Sequence, residues 1–248
     1  MKIGVLAVIP ARMESSRFPG KPLALINGKP LIERMYAELS RAKLIDKVVV
    51  ATDSDVIFRA VQKFGGEAVK TSKRHKTGSD RVAEAAEQLG GDIIINIQAD
   101  NLGIKAREYD QVISAMKSDN EIQYATFAKK IESEVDLFDP NRVKLITDKN
   151  GDALWFSRYP IPYLQDAKEG TLKSFQFLYH VGIYFFRQAS LKKFCSWKRT
   201  PVEIAESLEQ MRILENREKI RVFTTKSEII SIDAREDLAK LKKIKFKK

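Results

Sequence analysis

This sequence contains almost no cysteine and very little histidine. Among its 248 residues the only cysteine is Cys195, and the two histidines are His75 and His180. A single cysteine cannot form an internal disulfide bond, and no spacing of cysteine and histidine resembles a zinc site. The composition is therefore compatible with a reducing compartment, and a structural metal site is not expected. We interpret Cys195, together with Trp197, as a packing residue without a chemical role.

Long hydrophobic runs are also missing. The longest runs, such as residues 3–9 and 93–97, are far shorter than the roughly 20 apolar residues that a membrane-spanning helix needs. The charged-apolar-small pattern of a signal segment is not seen at the start of the sequence, so no signal segment is expected, and no internal repeat or low-complexity block is visible. Because 44% of the residues are hydrophobic and 31% are charged, the composition suits a folded protein. We therefore expect a cytoplasmic protein without a membrane partner, folded as a single domain over residues 1–248.

Two common glycine-rich phosphate-binding motifs are absent as well. The sequence contains neither GxGxxG nor GxxxxGK[ST], because Gly20 and Lys21 are followed by Pro22. Their absence argues against a dinucleotide-dependent dehydrogenase and against a P-loop ATPase.

Positive charge, in contrast, is in excess. The formal net charge is +11, and much of the excess lies in residues 241–248. A basic surface could bind a nucleic-acid backbone, but a short basic run is usually a solvated helix face or a frayed tail. A phosphate-rich small substrate would explain the basic residues equally well, so no nucleic-acid partner is expected.

The first half of the sequence alternates between strand-like and helix-like segments. Four short apolar runs are interpreted as buried parallel strands, namely residues 3–9, 47–52, 67–70 and 92–98. Helices are predicted from Pro30 onward, over 54–64 and over 78–89. This βαβ rhythm predicts a three-layer, Rossmann-like α/β fold with a mainly parallel sheet. In such a fold, ligands bind at the carboxyl ends of the strands.

The pattern changes between about residue 125 and residue 187. Strand-like segments separated by turn signals occur at 124–128, 143–147, 153–157 and 177–186. We interpret this part as a β-rich insertion or cap. The patterns that follow predict a helix over 202–215, a strand over 219–224 and, after Asp233, a final helix from Arg235.

A cationic loop follows the first predicted strand. Arg12, Arg17, Gly20 and Lys21 occur within ten positions. A glycine-containing backbone offers N–H groups to phosphate oxygens, and the three cationic side chains would neutralise several negative charges. The pattern indicates a polyphosphate site, with an ordinary solvated loop as the alternative. The position of the loop at the end of the first strand favours the phosphate site.

Two aspartates indicate a metal site. Asp100 comes directly after the strongest predicted strand, and Asp233 ends another apolar segment just before a helix. Mg²⁺ binds one or two carboxylates together with phosphate oxygens, so two aspartates that converge on one rim would supply its protein ligands. For Asp233 alone, the alternative is an N-cap of the following helix.

Four polar residues of the second half have both a functional and a structural interpretation. His180 and Tyr184 are four residues apart in a strand-like segment, so they face the same side. A half-buried sheet face would explain them equally well. Glu209 and Gln210 fall within the predicted helix 202–215, where polar side chains more often face solvent than a ligand.

Taken together, these segments resemble a known family. The motifs are VIPAR at 8–12, SRFPGKPL at 16–23, VATD at 50–53, His75 with TGSDR at 77–81, NIQ at 96–98 with Asp100, FSR at 156–158 with IP at 161–162, His180 with GIY at 182–184, and ESLEQMR at 206–212. In this order, and over nearly the whole chain, they are similar to sugar-acid cytidylyltransferases. The resemblance is greatest to the 3-deoxy-manno-octulosonate (Kdo) cytidylyltransferase family, also called CMP-Kdo synthetases.

The resemblance implies an activity. A member of this family would use Mg²⁺ as cofactor and transfer CMP from CTP to the anomeric hydroxyl of a 3-deoxy ulosonic sugar acid. The products would be a CMP-sugar for lipopolysaccharide synthesis and pyrophosphate. The resemblance also implies a nucleotide-diphospho-sugar transferase type of fold. It further implies a homodimer formed through the β-rich region, which would contribute to the sugar site.

The resemblance also implies roles for residues at matching positions. The triphosphate of CTP would be bound by Ala11, Arg12, Arg17 and Lys21, and the cytosine would lie near Thr77 and Gly78. Asp100 and Asp233 would hold Mg²⁺, and with Arg12 and Lys21 they would form the catalytic set. The sugar acid would be bound by Gln98, Arg158, His180, Tyr184, Glu209 and Gln210.

The sequence departs from the family pattern next to these positions. Where the family usually has Gln-Gly-Asp-Glu-Pro, residues 98–102 include Ala99, Asn101 and Leu102, and Tyr179 replaces the common basic residue before His180. These changes leave open whether the acceptor is Kdo, an amino-substituted Kdo, another ulosonic acid or a sialic-acid type of sugar. A variant with reduced activity, and a non-catalytic basic binding protein of the same fold, are further alternatives.

Overall fold

The fold is built from short strands and helices. The computed structural model describes residues 3–14, 18–98, 101–165 and 171–231. Its strands are β1 (Val5–Ala11), β2 (Leu25–Ile26), β3 (Lys29–Pro30), β4 (Lys47–Thr52), β5 (Ala68–Lys70), β6 (Ile93–Ile97), β7 (Asn101–Leu102), β8 (Tyr124–Lys130), β9 (Lys144–Thr147), β10 (Ala153–Ser157), β11 (Leu178–Arg187), β12 (Ile220–Thr225) and β13 (Ile230–Ser231). Its helices are α1 (Leu31–Leu39), α2 (Asp55–Lys63), α3 (Gly78–Leu89), α4 (Ala106–Ser118), α5 (Glu134–Phe138), α6 (Thr171–Ser174), α7 (Gln188–Ser196), α8 (Pro201–Glu206) and α9 (Met211–Glu215).

Nine of these strands form one sheet. Its order is β10-β9-β11-β6-β1-β4-β5, with β8 beside β11 and β12 beside β8. β1 runs parallel to β4 on one side and to β6 on the other, and β5 extends the parallel part beyond β4. The predicted α/β fold with a mainly parallel central sheet is thereby confirmed. The carboxyl ends of β1, β4 and β6 consequently meet at one edge.

Both faces of the sheet are covered, which gives three layers. The apolar side chains of β1 alternate between the faces, so Val5 and Ile9 enter one core and Leu6 and Val8 enter the other. Helices α1, α2 and α4 pack on the first face, whereas α3, α7 and α9 pack on the second. Burial of this apolar surface is the main force that holds the layers together. In the described ranges, no helix combines the length and the apolar character needed to cross a membrane.

The segment predicted as a β-rich insertion is rich in strands, but these strands continue the central sheet. β11 pairs antiparallel with β6, with Tyr184 opposite Asn96, and it pairs with β8 on its other side. β12 then adds to β8 in parallel. A strand pattern shows which segments are extended but not which segments pair, because pairing depends on partners distant in sequence. The pairing places His180 and Tyr184 beside the end of β6.

The predicted helix over 202–215 is wrong as a single element. It is two short helices, α8 and α9, separated by a break in which Ser207 adopts a left-handed backbone with φ 52°. The helical spacing of apolar residues continues on both sides of the break, so the pattern alone suggests one helix. Glu209 and Gln210 lie in the break, and Gln210 is buried instead of facing solvent.

The remaining predicted elements of the first half agree with the structure to within two residues at each end. Four helices, α4, α5, α6 and α7, were not predicted, although Tyr109, Val112, Ile113 and Met116 of α4 have helical spacing and are buried. The final helix predicted from Arg235 lies outside the described residues. Cys195 and Trp197 pack against the second core, as predicted.

Candidate functional site

A cavity lies at the edge where β1 and β6 end. It is lined by Pro10, Ala11, Arg12, Thr77, Gly78, Arg81 and Gln98. Ala11 is the last residue of β1, and Gln98 directly follows β6. The fold therefore brings together five predicted site residues from three separate segments, at the edge where α/β proteins bind ligands.

The amino-terminal end of α3 forms one wall of this cavity. Thr77 is its N-cap: the Thr77 hydroxyl accepts a hydrogen bond from the Asp80 backbone N–H at 3.1 Å, and the Asp80 carboxylate accepts one from the Thr77 N–H at 3.3 Å. Gly78 packs closely against the end of β1. A Cβ at this position would lie 3.4 Å from the Pro10 ring. A helix amino terminus attracts negative charge and offers N–H donors. The wall therefore suits a phosphate group or the acceptor edge of a base.

Arg81 is a further cavity residue to which the sequence pattern assigned no role. It is only 4% exposed, and its guanidinium contacts the Asp53 carboxylate at 3.3 Å and donates a hydrogen bond to the Thr71 hydroxyl. These contacts tie α3 to the segment after β4 and to the one after β5. The sequence signal that could have predicted these Arg81 contacts is Asp53, an acidic residue directly after a parallel strand.

The cationic loop folds back towards the end of β1. Gly20 has a left-handed backbone with φ 71°, and its N–H donates to the Met13 carbonyl at 2.9 Å. This bond returns the chain to the neighbourhood of Arg12, and the half-buried Lys21 follows in a 3-10 turn over Lys21–Leu23. Arg12 and Lys21 thus belong to one closed loop. Arg17 lies outside the described residues.

Both predicted metal ligands, Asp100 and Asp233, also lie outside the described residues. Their described neighbours are paired: Asn101 lies opposite Ser231 in the antiparallel pair of β7 and β13. Asp100 is one residue before Asn101, and Asp233 is two residues after Ser231. Among the described residues there is no cluster of three or more histidine, cysteine, aspartate or glutamate residues that could hold a metal ion.

A buried carboxylate fastens the chain between β12 and β13. Glu108 of α4 accepts hydrogen bonds from the hydroxyls of Thr225 and Ser227 and from the Lys105 backbone N–H. Burial alone would raise the pKa of Glu108, but these donors, Ser227 first among them, hold the pKa below its usual value. Glu108 is therefore ionised at neutral pH and anchors the segment that leads to β13.

Four of the six predicted sugar-binding residues form a second group next to Ser79 of α3, namely His180, Tyr184, Glu209 and Gln210, whereas Gln98 lines the cavity. His180 and Tyr184 share one face of β11, as predicted, with ring centroids 5.2 Å apart. The Tyr184 hydroxyl donates to Gln210 Oε1 at 3.0 Å. Burial lowers the pKa of His180 to about 3, so the imidazole is neutral at physiological pH.

Glu209 links this group to the helix that forms the cavity wall. The Ser79 hydroxyl donates to Glu209 Oε2 at 2.7 Å, and Asn96 Nδ2 donates to the Ser79 oxygen at 3.3 Å. Burial raises the pKa of Glu209, although the Ser79 hydrogen bond opposes that rise. Asn96 Oδ1 and Gln210 Nε2 are buried, and neither has a hydrogen-bond partner in the part of the chain that the structure describes. Because buried polar atoms normally have partners, an unpaired acceptor and an unpaired donor suit a polar ligand.

Arg158 has a different environment from the other predicted sugar-binding residues. Its guanidinium donates to three backbone carbonyls: Nε to Glu206 at 2.7 Å, Nη1 to Pro140 at 2.9 Å and Nη2 to Ser207 at 3.4 Å. The Glu206 carboxylate in turn accepts from the Arg158 N–H at 3.0 Å and the Ser157 hydroxyl at 2.9 Å. These bonds hold the break between α8 and α9 against the end of β10. A guanidinium has five N–H groups, so donors remain for a ligand.

Two of the departures from the family pattern lie in the core. Tyr179 is buried on the face of β11 opposite His180 and stacks under the Arg142 guanidinium at 4.7 Å. Leu102 is buried in the same core. Neither side chain therefore faces the group formed by His180 and Tyr184. Ala99 lies outside the described residues.

Comparisons with known proteins identify the family of this chain. A family model described as "Cytidylyltransferase" matches residues 6–220. A 3-deoxy-manno-octulosonate cytidylyltransferase of Geobacter metallireducens is 43% identical over 244 residues, which cover 96% of each chain. One of the same name from Thermodesulfovibrio yellowstonii is 45% identical over 245 residues and 94% of each chain.

A solved structure is also similar along its whole length. It is that of CMP:2-keto-3-deoxy-manno-octonic acid synthetase complexed with CTP, and it matches with a TM-score of 0.89 and 36% identity, over 96% of this chain and 97% of that one. The family model covers most of the sequence, and the residues that line the cavity at the ends of β1 and β6 lie within it. The chain therefore belongs to the cytidylyltransferase family.

Proposed function

We propose that this protein transfers CMP from CTP to the anomeric hydroxyl of Kdo, or of a close analogue such as an amino-substituted Kdo, and releases pyrophosphate. The observation that carries the proposal is the hydrogen bond between Ser79 and Glu209. It joins α3, which forms a wall of the nucleotide cavity, to the group of polar residues on β11 and in the α8–α9 break. A nucleotide and a polar acceptor would thus be bound side by side. The names of the relatives support a role in lipopolysaccharide synthesis.

For this reaction the protein must mainly position the two substrates and neutralise the charge of the phosphates. The sugar oxygen forms a bond to the α-phosphorus of CTP, the bond from that phosphorus to the β-phosphate oxygen breaks, and the hydroxyl proton leaves to solvent. Arg12, Arg17 and Lys21 would stabilise the charge that grows on the leaving pyrophosphate. The N–H groups at the start of α3 would hold the nucleotide. No side chain needs to act as a general base in this scheme.

Mg²⁺ is the cofactor that best fits a donor set of two aspartates and phosphate oxygens. The pairing of β7 with β13 ties together the two chain segments that carry Asp100 and Asp233. Two carboxylates, with phosphate oxygens completing the shell, are typical of Mg²⁺ sites. When bound, Mg²⁺ would neutralise phosphate charge and polarise the α-phosphate. We therefore propose that Asp100 and Asp233 hold it.

The acceptor would be bound by Gln98, Arg158, His180, Tyr184, Glu209 and Gln210. Gln210 Nε2, which has no partner among the described residues, would donate a hydrogen bond to a carboxylate or hydroxyl oxygen of the sugar. The carboxylate oxygens of Glu209 would accept hydrogen bonds from the hydroxyl groups of the sugar. A site that pairs buried polar atoms with a substrate discriminates strongly against sugars that leave them unpaired. A sialic-acid type of sugar is the second candidate acceptor.

We also propose that the protein is a cytoplasmic homodimer. Strand β10 lies at one end of the sheet and exposes Leu154 by 54% and Trp155 by 39%. An exposed apolar edge strand is a ready surface for pairing with a second copy. Sedimentation of a monomer at the concentration used for assays would contradict the dimer.

The decisive experiment is a pyrophosphate-release assay with CTP, UTP, ATP and GTP against a panel of ulosonic and nonulosonic acids. We expect release with CTP and Kdo-type acids only, and only with Mg²⁺ present. Equal rates with all four nucleotides would disprove the cytosine assignment. Absence of release with every acid would disprove the function and favour a basic binding protein, whose affinity for polynucleotides would fall steeply with added salt.

A further inference from the structure

The hydroxyl of Thr126 contacts the edge of the His180 ring at Nε2. Thr126 lies in β8 and is fully buried. The pairing of β8 with β11 is irregular between Val181 and Tyr184, so that two β11 carbonyls come close to this one hydroxyl. Thr126 Oγ1 lies 2.8 Å from the Ile183 oxygen, 3.3 Å from the Val181 oxygen and 2.9 Å from His180 Nε2.

The number of protons available decides how these three contacts are made. A threonine hydroxyl has one proton to donate and two lone pairs, whereas a backbone carbonyl can only accept. The Thr126 proton must therefore point to Ile183 or Val181, since otherwise both carbonyl oxygens would face its lone pairs. The contact with His180 then requires the ring to donate, so Nε2 carries the ring proton.

The opposite nitrogen of the ring is left as an acceptor. A neutral imidazole has one N–H and one lone pair, and burial keeps His180 neutral, with its pKa at about 3. No hydrogen-bond partner of Nδ1 is found among the described residues. The ring itself is held between Phe156, with centroids 5.3 Å apart, and Tyr184. The position of the acceptor atom is therefore set by packing as well as by the Thr126 hydrogen bond.

We propose that Thr126 is a positioning residue that fixes His180 as the Nε2–H tautomer, so that Nδ1 accepts a hydrogen bond from a hydroxyl or ammonium group of the acceptor sugar. The contact with the sugar rests on the proposed function, but the tautomer does not. In this arrangement His180 selects the acceptor and takes no part in proton transfer. Thr126 itself does not touch the substrate.

Nitrogen NMR of the full chain tests the tautomer without any substrate. The sequence has only two histidines, so the spectrum of a His75→Gln variant assigns the His180 signals. We expect a protonated Nε2 and an unprotonated Nδ1 from about pH 5 to about pH 9, a range in which an ordinary histidine titrates. A protonated Nδ1, signals averaged between tautomers, or a titration within this range would overturn the proposal.

Two variants distinguish the effect of the Thr126 hydroxyl from the effect of the side chain's shape. Thr126→Val removes the hydroxyl and keeps the shape, whereas Thr126→Ser keeps the hydroxyl and serves as the matched control. We expect averaged His180 signals in Thr126→Val and parent-like signals in Thr126→Ser. A single Nε2–H tautomer in Thr126→Val would show that Thr126 does not fix it. If Thr126→Val does not fold, judged by circular dichroism, the parent spectrum still decides the tautomer, and Thr126→Ala takes the place of Thr126→Val.

Kinetics then tests the contact with the sugar. Thr126→Val should raise KM for the sugar acid by roughly three- to tenfold, the value of one ordinary hydrogen bond, with an unchanged KM for CTP. Thr126→Ser should restore the parent value. An unchanged sugar KM, with the tautomer confirmed, would overturn the role of Nδ1. If the parent releases no pyrophosphate with any acid, the proposed function fails, and the NMR result stands by itself.

Discussion

A substitution at Gly103 tests whether the close approach of the segments around β7 and β13 positions the proposed metal ligands. This glycine has φ 119°, and a Cβ there would lie 3.0 Å from the carbonyl carbon of Glu228 and nearer still to its oxygen. Because non-bonded atoms prefer separations of roughly 3.5–4.0 Å, Gly103→Ala must push the two segments apart by roughly 1.5 Å or more. The backbone conformation itself adds a penalty of about 1–3 kcal/mol. A misplacement of about 1 Å can lower turnover about 100-fold, and we expect such a loss if Asp100 and Asp233 hold the metal.

The assay is pyrophosphate release measured against Mg²⁺ concentration, with urea unfolding as the measure of stability. Gly65→Ala is the matched control, because Gly65 also has a positive φ, 79°, but a Cβ there would meet no atom within 4 Å. Both variants should lose stability. Only Gly103→Ala should lose turnover and need more Mg²⁺ for its half-maximal rate. If its turnover stays within about threefold of the control, this contact does not position the metal ligands.

Three further predictions concern carboxylates. Asp100→Asn and Asp233→Asn should each abolish pyrophosphate release without changing the urea midpoint, and near-normal turnover in either would remove that residue from the metal site. Glu206→Gln should raise KM for the sugar acid roughly tenfold and leave KM for CTP unchanged, since it loosens the break that carries Gln210; equal effects on both constants would contradict this. Because the pKa of Glu108 is lowered by folding, its stabilisation is present above the unfolded pKa and is lost as pH falls through the folded one. Urea unfolding should show a weaker loss of stability on acidification in Glu108→Gln than in the parent.

The sequence predicted the parallel half of the fold well because its signals are local. Each of β1, β4 and β6 is a continuous apolar run, and α3 begins with a capping motif, so strands and helices can be placed from neighbouring residues alone. The ends of β1 and β6 could then be predicted to meet, and the cavity at Ala11, Thr77 and Gln98 lies there.

The rest depended on contacts between distant residues. The break between α8 and α9 is held by bonds from Ser157 and Arg158 to Glu206, about fifty positions away in sequence. No local pattern contains these bonds, nor those from Ser79 to Glu209 and from Tyr184 to Gln210 that hold the two side chains inside the protein. The membership of β11 in the central sheet was missed for the same reason, since it depends on the register with β6.

The arrangement of α3 has a consequence for how the two substrates are aligned. Gly78, at its first turn, lines the cavity proposed for the nucleotide, and Ser79, the next residue, binds Glu209, which is proposed to contact the sugar. Consecutive residues of a helix cannot move independently, because the backbone hydrogen bonds fix both. If CTP and the sugar acid bind as proposed, a rigid element would therefore set the distance between the α-phosphate and the sugar hydroxyl. Ser79→Ala should accordingly lower kcat more than it raises KM for either substrate, since it frees Glu209 from α3 without removing a group that touches CTP. A rise in sugar KM alone, at unchanged kcat, would show that Glu209 contributes only affinity and that α3 does not align the reaction.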